Sequence, residues 1–236
     1  MTTIVLVHGG WHGGWVWDRV ATRLRSRGHA VFAPSLTGLA ERAHLLHAVQ
    51  GPDTHVQDIV QLLAFNDLTD VTLVGHSYGG MVIAGVASRV PERIASLIYL
   101  DAFVPTETGM PAHQMATPER AAEIQRAIRP DGTIAPTGFE RWSASPETIA
   151  WLRAKTTPHP ASCFQNGVTL TGAERSIQRR HFILCEQHRP SPFWQFYDRY
   201  RDDSSWRVSR LDCLHDAMVE RPDELAQLIE ATETTK

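Results

Sequence analysis

Val71-Thr72-Leu73-Val74-Gly75-His76-Ser77-Tyr78-Gly79-Gly80-Met81-Val82-Ile83-Ala84 runs from a short apolar segment, through Gly-x-Ser-x-Gly, into apolar residues at helical spacing. The first part reads as a buried strand and the last as a helix. A serine between two glycines at such a junction sits on a sharp turn that lifts its hydroxyl above the sheet edge. The glycines are needed because the turn brings backbone against backbone. Gly and Ser are common, so the motif alone carries little. The strand before it and the helix after it give it weight, and they point to a chain built to attack a carbonyl carbon.

Outward from this junction the chain alternates strand and helix. Residues 4–7 are a β-branched run ended by His8-Gly9-Gly10 and read as a buried parallel strand. Residues 18–27 read as a helix with Val20, Ala21 and Leu24 on one face, closed by Gly28. Residues 30–33 are a strand stopped by Pro34. Residues 53–65 are helical, with Val56, Ile59, Val60 and Leu63 at helical spacing. Residues 78–88 form the helix after Ser77, and 94–100 another strand ending at Asp101. This pattern predicts an α/β fold, a mostly parallel sheet covered by helices on both faces. Right-handed crossovers then place every strand C-terminus, and with it Gly9, Ser77 and Asp101, on one ligand-binding edge.

The alternation breaks over residues 104–180, where only short amphipathic pieces (118–128 and 146–155) stand out. This stretch reads as a cap inserted within a single domain spanning 1–236. The sheet resumes at 181–185. A helix over 192–200, a short strand at 206–208 and a closing helix over 222–231 follow, the last with Pro222 and two acids in its first turn. Residues 232–236 read as disordered.

With 236 residues, 42% hydrophobic and 21% charged, the chain can bury a full core. A net charge of -3 gives no reason to expect nucleic acid or an anionic membrane. Nothing is long and apolar enough to span a bilayer, and the N-terminus lacks the regions of a signal peptide. The 3 cysteines, Cys163, Cys185 and Cys213, are odd in number and far apart, which argues for a reducing compartment; a cytoplasmic protein is expected. No cluster of His, Cys and acids has zinc spacing, so no metal and no cofactor is expected.

Three stretches together resemble the α/β-hydrolase superfamily: Val7-His8-Gly9-Gly10-Trp11-His12-Gly13-Gly14-Trp15, the serine turn, and Leu214-His215-Asp216-Ala217-Met218. The most similar branch holds the small plant methylesterases and the cofactor-free hydroxynitrile lyases. The first strand runs straight into His8-Gly9, which implies a compact α/β-hydrolase fold of about six strands. Ser77 is then the expected nucleophile. The chain has 12 histidines, and the order of serine first and histidine near the C-terminus selects His215 as its base. The oxyanion is expected to meet the backbone N–H groups of Tyr78, directly after Ser77, and of Gly10, where the resemblance points. Each such donor is worth about 3 kcal/mol of transition-state stabilisation.

The triad acid is harder to place. In the resembled branch it stands three residues after the cysteine that ends the next-to-last strand, and here that position is His188. Two carboxylates are candidates. Asp101 ends the 94–100 strand, an arrangement similar to that of the haloalkane dehalogenases. Glu186 is nearer the usual place but out of register. Asp101 is the expectation and Glu186 the alternative, with Asp216 read as structural. Trp11 and His12 are expected at the pocket mouth, with Phe103 at the base of the cap and Trp142 within it. Met110, Met115, Phe139 and Trp151 serve equally as pocket or cap core.

The reading that follows is a serine hydrolase taking a small-molecule carboxylic ester, a methyl or other small-alcohol ester of an apolar or aromatic acid. A hydroxynitrile lyase is the alternative. Lyases of the resembled branch carry Thr where Gly9 stands and Lys where Asp216 stands, and a carboxylate there would repel cyanide. A non-catalytic ligand-binding protein is the third reading, suggested by the histidine at position 188. The sequence assigns no oligomeric state.

Overall fold

The computed structural model describes residues 1–234, with side chains through Thr232. In chain order the strands are β1 (Thr3–Val7), β2 (Ala30–Phe32), β3 (Val71–His76), β4 (Ile94–Leu100), β5 (Thr133–Ile134), β6 (His159–Pro160), β7 (Arg179–Cys185) and β8 (Arg207–Leu211). The helices are α1 (Asp18–Ser26), α2 (Pro52–Phe65), α3 (Gly79–Arg89), α4 (Pro118–Arg126), α5 (Pro146–Lys155), α6 (Ser162–Gln165), α7 (Trp194–Tyr200), α8 (Ala217–Glu220) and α9 (Pro222–Thr234). Six strands form one sheet in the order β2-β1-β3-β4-β7-β8, and every pairing in it is parallel. This is the α/β-hydrolase architecture that the motifs imply.

Strand periodicity divides the core in two. Val5, Val7, Leu73, Leu97, Phe182 and Leu184 face the layer that holds α2, α3 and α7. Ile4, Leu6, Val74, Ile98, Ile183 and Cys185 face the layer that holds α1 and α9. Alternate residues of each strand therefore enter opposite cores, and both cores exclude water. A buried Val, Leu or Ile contributes about 1.5–3 kcal/mol, so the central strands are firmly anchored where their C-terminal ends must be held.

Between β4 and β7 lie α4, α5, α6 and a two-stranded antiparallel ribbon of β5 and β6. Thr117 and Ser145 cap α4 and α5, each accepting from a backbone N–H three residues on. The ribbon, α6 and α8 have no counterpart in the sequence reading, since none is long enough to show a period, and the 3-10 stretch Ala40–Ala48 has none because it buries no residue and so shows no apolar face. The expected disorder of 232–236 is corrected for its first residues. α9 continues to Thr234, and Thr232 is buried, its Oγ accepting from His181 Nδ1 at 2.7 Å and donating to the Leu228 carbonyl. Thr235 and Lys236 lie outside the described residues. Among the described residues no helix is long and apolar enough to cross a membrane, and all three cysteines are unpaired and buried.

Candidate active site

β3 carries the chain to its C-terminal edge and ends at His76. Ser77 follows with φ +53, a left-handed conformation rare for a residue with a Cβ. Hydrogen bonds from both sides hold it there: its N–H donates to the Leu100 carbonyl, and its carbonyl accepts from Phe103 and Gly80. A Cβ at Gly75 would stand 2.6 Å from the Gly79 carbonyl oxygen, and one at Gly79 would stand 2.7 Å from that of Val7. The turn thus exists only with glycine at both places.

Asp101 stands directly after β4, fully buried, with φ +41. Its Oδ2 accepts from His215 Nδ1 at 2.6 Å and from His188 Nδ1 at 2.7 Å, and its Oδ1 accepts from the Cys185 N–H at 3.3 Å. One carboxylate oxygen therefore orients two imidazoles. Both rings expose Nε2 toward the same cavity, with centroids 4.4 Å apart. The alternative acid is corrected: Glu186 turns outward to Arg210 at 2.9 Å and is partly exposed, because the residue after β7 pairs toward β8 and not toward the cavity.

His215 sits in the loop between β8 and α8. Its ring stacks on Phe193 at 5.4 Å and lies 4.4 Å from His76. Burial, and then the neighbouring His188, hold it well below the usual imidazole value, so it is neutral at physiological pH. Ser77 Oγ and the His215 ring face the same cavity without a direct hydrogen bond. The backbone N–H groups of Gly10 and Tyr78 have no protein acceptor among the described residues. Tyr78 stands at the start of α3, where helix N–H groups converge.

Of the expected pocket residues, Trp11, Phe103 and Trp142 line the cavity. His12 does not, and that expectation is corrected. Trp11 takes a left-handed φ of +67, which turns the chain so that the His12 side chain enters the interior. There its Nδ1 meets the Gly10 carbonyl at 2.7 Å and its Nε2 meets Asp216 Oδ2 at 3.2 Å. Asp216 is likewise buried and faces away from the cavity. Met110, Met115, Phe139 and Trp151 do not line the cavity; Phe139 packs on Trp142 and Trp151 on Trp15.

The alpha/beta hydrolase family model matches residues 4–228. The chain belongs to this family. It is 36% identical to the carbendazim hydrolyzing esterase of Nocardioides sp. over 98% of this chain and 99% of that one. It is also 36% identical to an α-hydroxynitrile lyase of Arabidopsis thaliana, over 46% of this chain and 43% of the lyase. Among solved structures it is similar to an extracellular α/β-hydrolase from a Paenibacillus species, with TM-score 0.85, 22% identity, and 98% and 99% of the two chains covered. A methylesterase from Arabidopsis matches at TM-score 0.79 and 21% identity over the full length of both.

Within this alpha/beta hydrolase frame the cavity measures about 140 Å³. Trp11, Phe164, Phe193 and Ile124 make much of its wall apolar, while Arg120, Glu123 and Arg141, paired with one another, stand on one side. His188, Phe164 and Phe193 are the residues that sequence reasoning did not place. His188 was visible only as a departure from the expected acid, and the two phenylalanines carry no motif. Among the described residues, two groups of ligand-type side chains have their ligand atoms within 4.8 Å of one another, Asp101–His188–His215 and His55–His159–Cys163. In the first, both Nδ1 atoms already donate to Asp101. In the second, Tyr78 and Thr37 occupy both nitrogens of His55. We assign a cation to neither.

Proposed function

We propose that this protein cleaves small carboxylic esters through an acyl-enzyme on Ser77, with His215 as base and Asp101 as the acid that orients it. The chain is an esterase-type hydrolase; the serine mechanism and the substrate class are our reading. The observation that carries it is the 2.6 Å bond between Asp101 Oδ2 and His215 Nδ1, which fixes the tautomer and leaves Nε2 toward the cavity that Ser77 also faces.

In this mechanism a modest rotation of the Ser77 side chain brings Oγ to His215 Nε2, a contact that often tightens only with substrate bound. Oγ attacks the carbonyl carbon as Nε2 takes its proton. The tetrahedral oxyanion is met by the Gly10 and Tyr78 N–H groups. Collapse expels the alcohol, which takes the proton back from His215. Water then attacks the acyl-enzyme by the same route and releases the acid. The aromatic lining and the small cavity favour a compact apolar or aromatic acyl group with a small alcohol. The segment 104–180 supplies Trp142, Phe164 and Ile124 to that lining, and we read it as the cap.

The lyase reading finds little support. A side chain at Gly9 would lie 2.8 Å from the buried His76 ring, so the lyases' threonine does not fit without movement. Asp216 faces His12, so the position of the lyases' lysine does not face the cavity here; this replaces the expectation that Asp216 repels cyanide. The Asp101–His215 bond speaks against a non-catalytic reading, since a carboxylate orients the imidazole although His188 stands at the expected acid position.

The test is p-nitrophenyl acetate turnover, with carbendazim and methyl esters of aromatic acids as further substrates, and fluorophosphonate labelling followed by peptide mass mapping. Ser77→Ala should abolish both turnover and labelling. Equal turnover by the variant and the unaltered protein would sink the serine mechanism.

A further inference from the structure

The partners of the buried histidines reveal their protonation. A neutral imidazole is one donor and one acceptor. His8 donates from Nδ1 to the Gly9 carbonyl and accepts at Nε2 from the Leu36 N–H. His55 donates to the Thr37 carbonyl and accepts from the Tyr78 hydroxyl. His181 donates to Thr232 and accepts from the Ser209 hydroxyl. Each is satisfied as a neutral ring, and burial holds each below the usual imidazole value.

His12 differs. Both of its ring nitrogens face acceptors: the Gly10 carbonyl at 2.7 Å and the Asp216 carboxylate at 3.2 Å. Against an ionised Asp216, a neutral ring would set a lone pair against one of these oxygens. Only the imidazolium donates to both. We infer that His12 is a buried imidazolium held by Asp216, and that this ion pair positions the oxyanion loop.

The consequence for the loop is direct. The Gly10–Trp11 peptide is held at both poles. Its carbonyl accepts from His12, and its N–H donates to His159 Nδ1 at 3.2 Å. Fixing that peptide fixes Gly10, whose own N–H is one of the two donors assigned above to the oxyanion. His12 and Asp216 touch no substrate and act through Gly10 as positioning residues, so the inference about the loop rests on the proposed serine mechanism. The electrostatics agree. Burial opposes the charge, but the Asp216 charge and hydrogen bond, with the Gly10 carbonyl, lift His12 above the ordinary imidazole value. The other titratable groups around it are His76, whose Nε2 is 3.9 Å from Asp216 Oδ1, and His8, His159 and His215, which burial keeps neutral; Trp15 and Trp142 supply the remaining walls.

The sign follows. The clamp is complete below the raised His12 value and is lost as pH climbs through it, so kcat should fall on the alkaline side while KM stays nearly constant. Histidine-selective 15N NMR at neutral pH, with a His12→Asn sample to assign the signal, should show one ring protonated on both nitrogens. In Asp216→Asn that ring should become neutral, kcat should drop about 10- to 100-fold, short of the cost of removing an oxyanion donor outright, and the alkaline limb should move down by about one pH unit. Asp216→Glu should restore part of both. A neutral His12 in the unaltered protein overturns the inference. So does an Asp216→Asn variant that loses the ring charge yet keeps kcat and its pH profile. The NMR result needs no turnover, so failure of the serine mechanism and failure of the ion pair are read separately.

Discussion

Two buried carboxylates flank His215, and they use histidine in opposite ways. Asp101 takes a proton donor from each of two rings and leaves both Nε2 atoms free toward the cavity. Asp216 takes one ring whose other nitrogen is also spent, on a backbone carbonyl. Both aspartates are fully buried, and both partners are imidazoles. In the proposed mechanism, what separates a base from a clamp is the second ring nitrogen. A free one can accept a proton from a substrate or nucleophile; a committed one can only hold a position.

Breaking the Asp101 side should cost most. Asp101→Asn should lower kcat/KM for p-nitrophenyl acetate by about 10³- to 10⁴-fold, because an amide can select the wrong tautomer and no longer stabilises the imidazolium. Glu186→Gln, whose carboxylate pairs only with Arg210 at a partly exposed site, should leave turnover within about twofold, since such pairs contribute little. The reverse order of effects would move the acid to Glu186. The Asp216→Asn loss described above should fall between these two, and a loss as deep as that of Asp101→Asn would erase the distinction between base and clamp.

His188→Asn sharpens the comparison without removing the acid. His188 is, after burial, the largest influence holding His215 down. Its removal should move the acid limb of the kcat/KM profile upward, with a change in kcat of only a few-fold at pH 8. An unmoved limb would mean that the two rings on Asp101 do not sense each other.

A last effect, apart from turnover, is on stability. His8 and His181 are held down to about 3 and His55 to about 4, against an unfolded value near 6.5. A group whose folded value is depressed stabilises above the unfolded value and loses that contribution as pH falls toward the folded one. Tm should therefore be flat above about pH 6.5 and decline as pH falls from there toward about pH 4. A Tm that rises on acidification across that window would contradict the neutral assignments.

The sheet was legible because its central strands carry short apolar runs, and the serine turn because it needs two glycines. The position of Asp101 was legible for a related reason: a carboxylate at the end of a central parallel strand emerges on the ligand edge, and its role as the acid belongs to the proposed mechanism. His12 was not. Its side-chain direction follows from the left-handed conformation of Trp11, which no spacing rule encodes. The role of His188 was hidden because the residue type breaks the expected pattern while its position keeps it. The β5–β6 ribbon and α6 are shorter than any period that hydrophobicity could reveal.

The last turn of α9 has a practical consequence. Thr232 is the acceptor that sets the tautomer of His181, inside the sheet on β7. Trimming the chain back to Ala231 would uncork a buried ring in the strand that leads to His188, so shortened expression clones should keep the protein through Thr232.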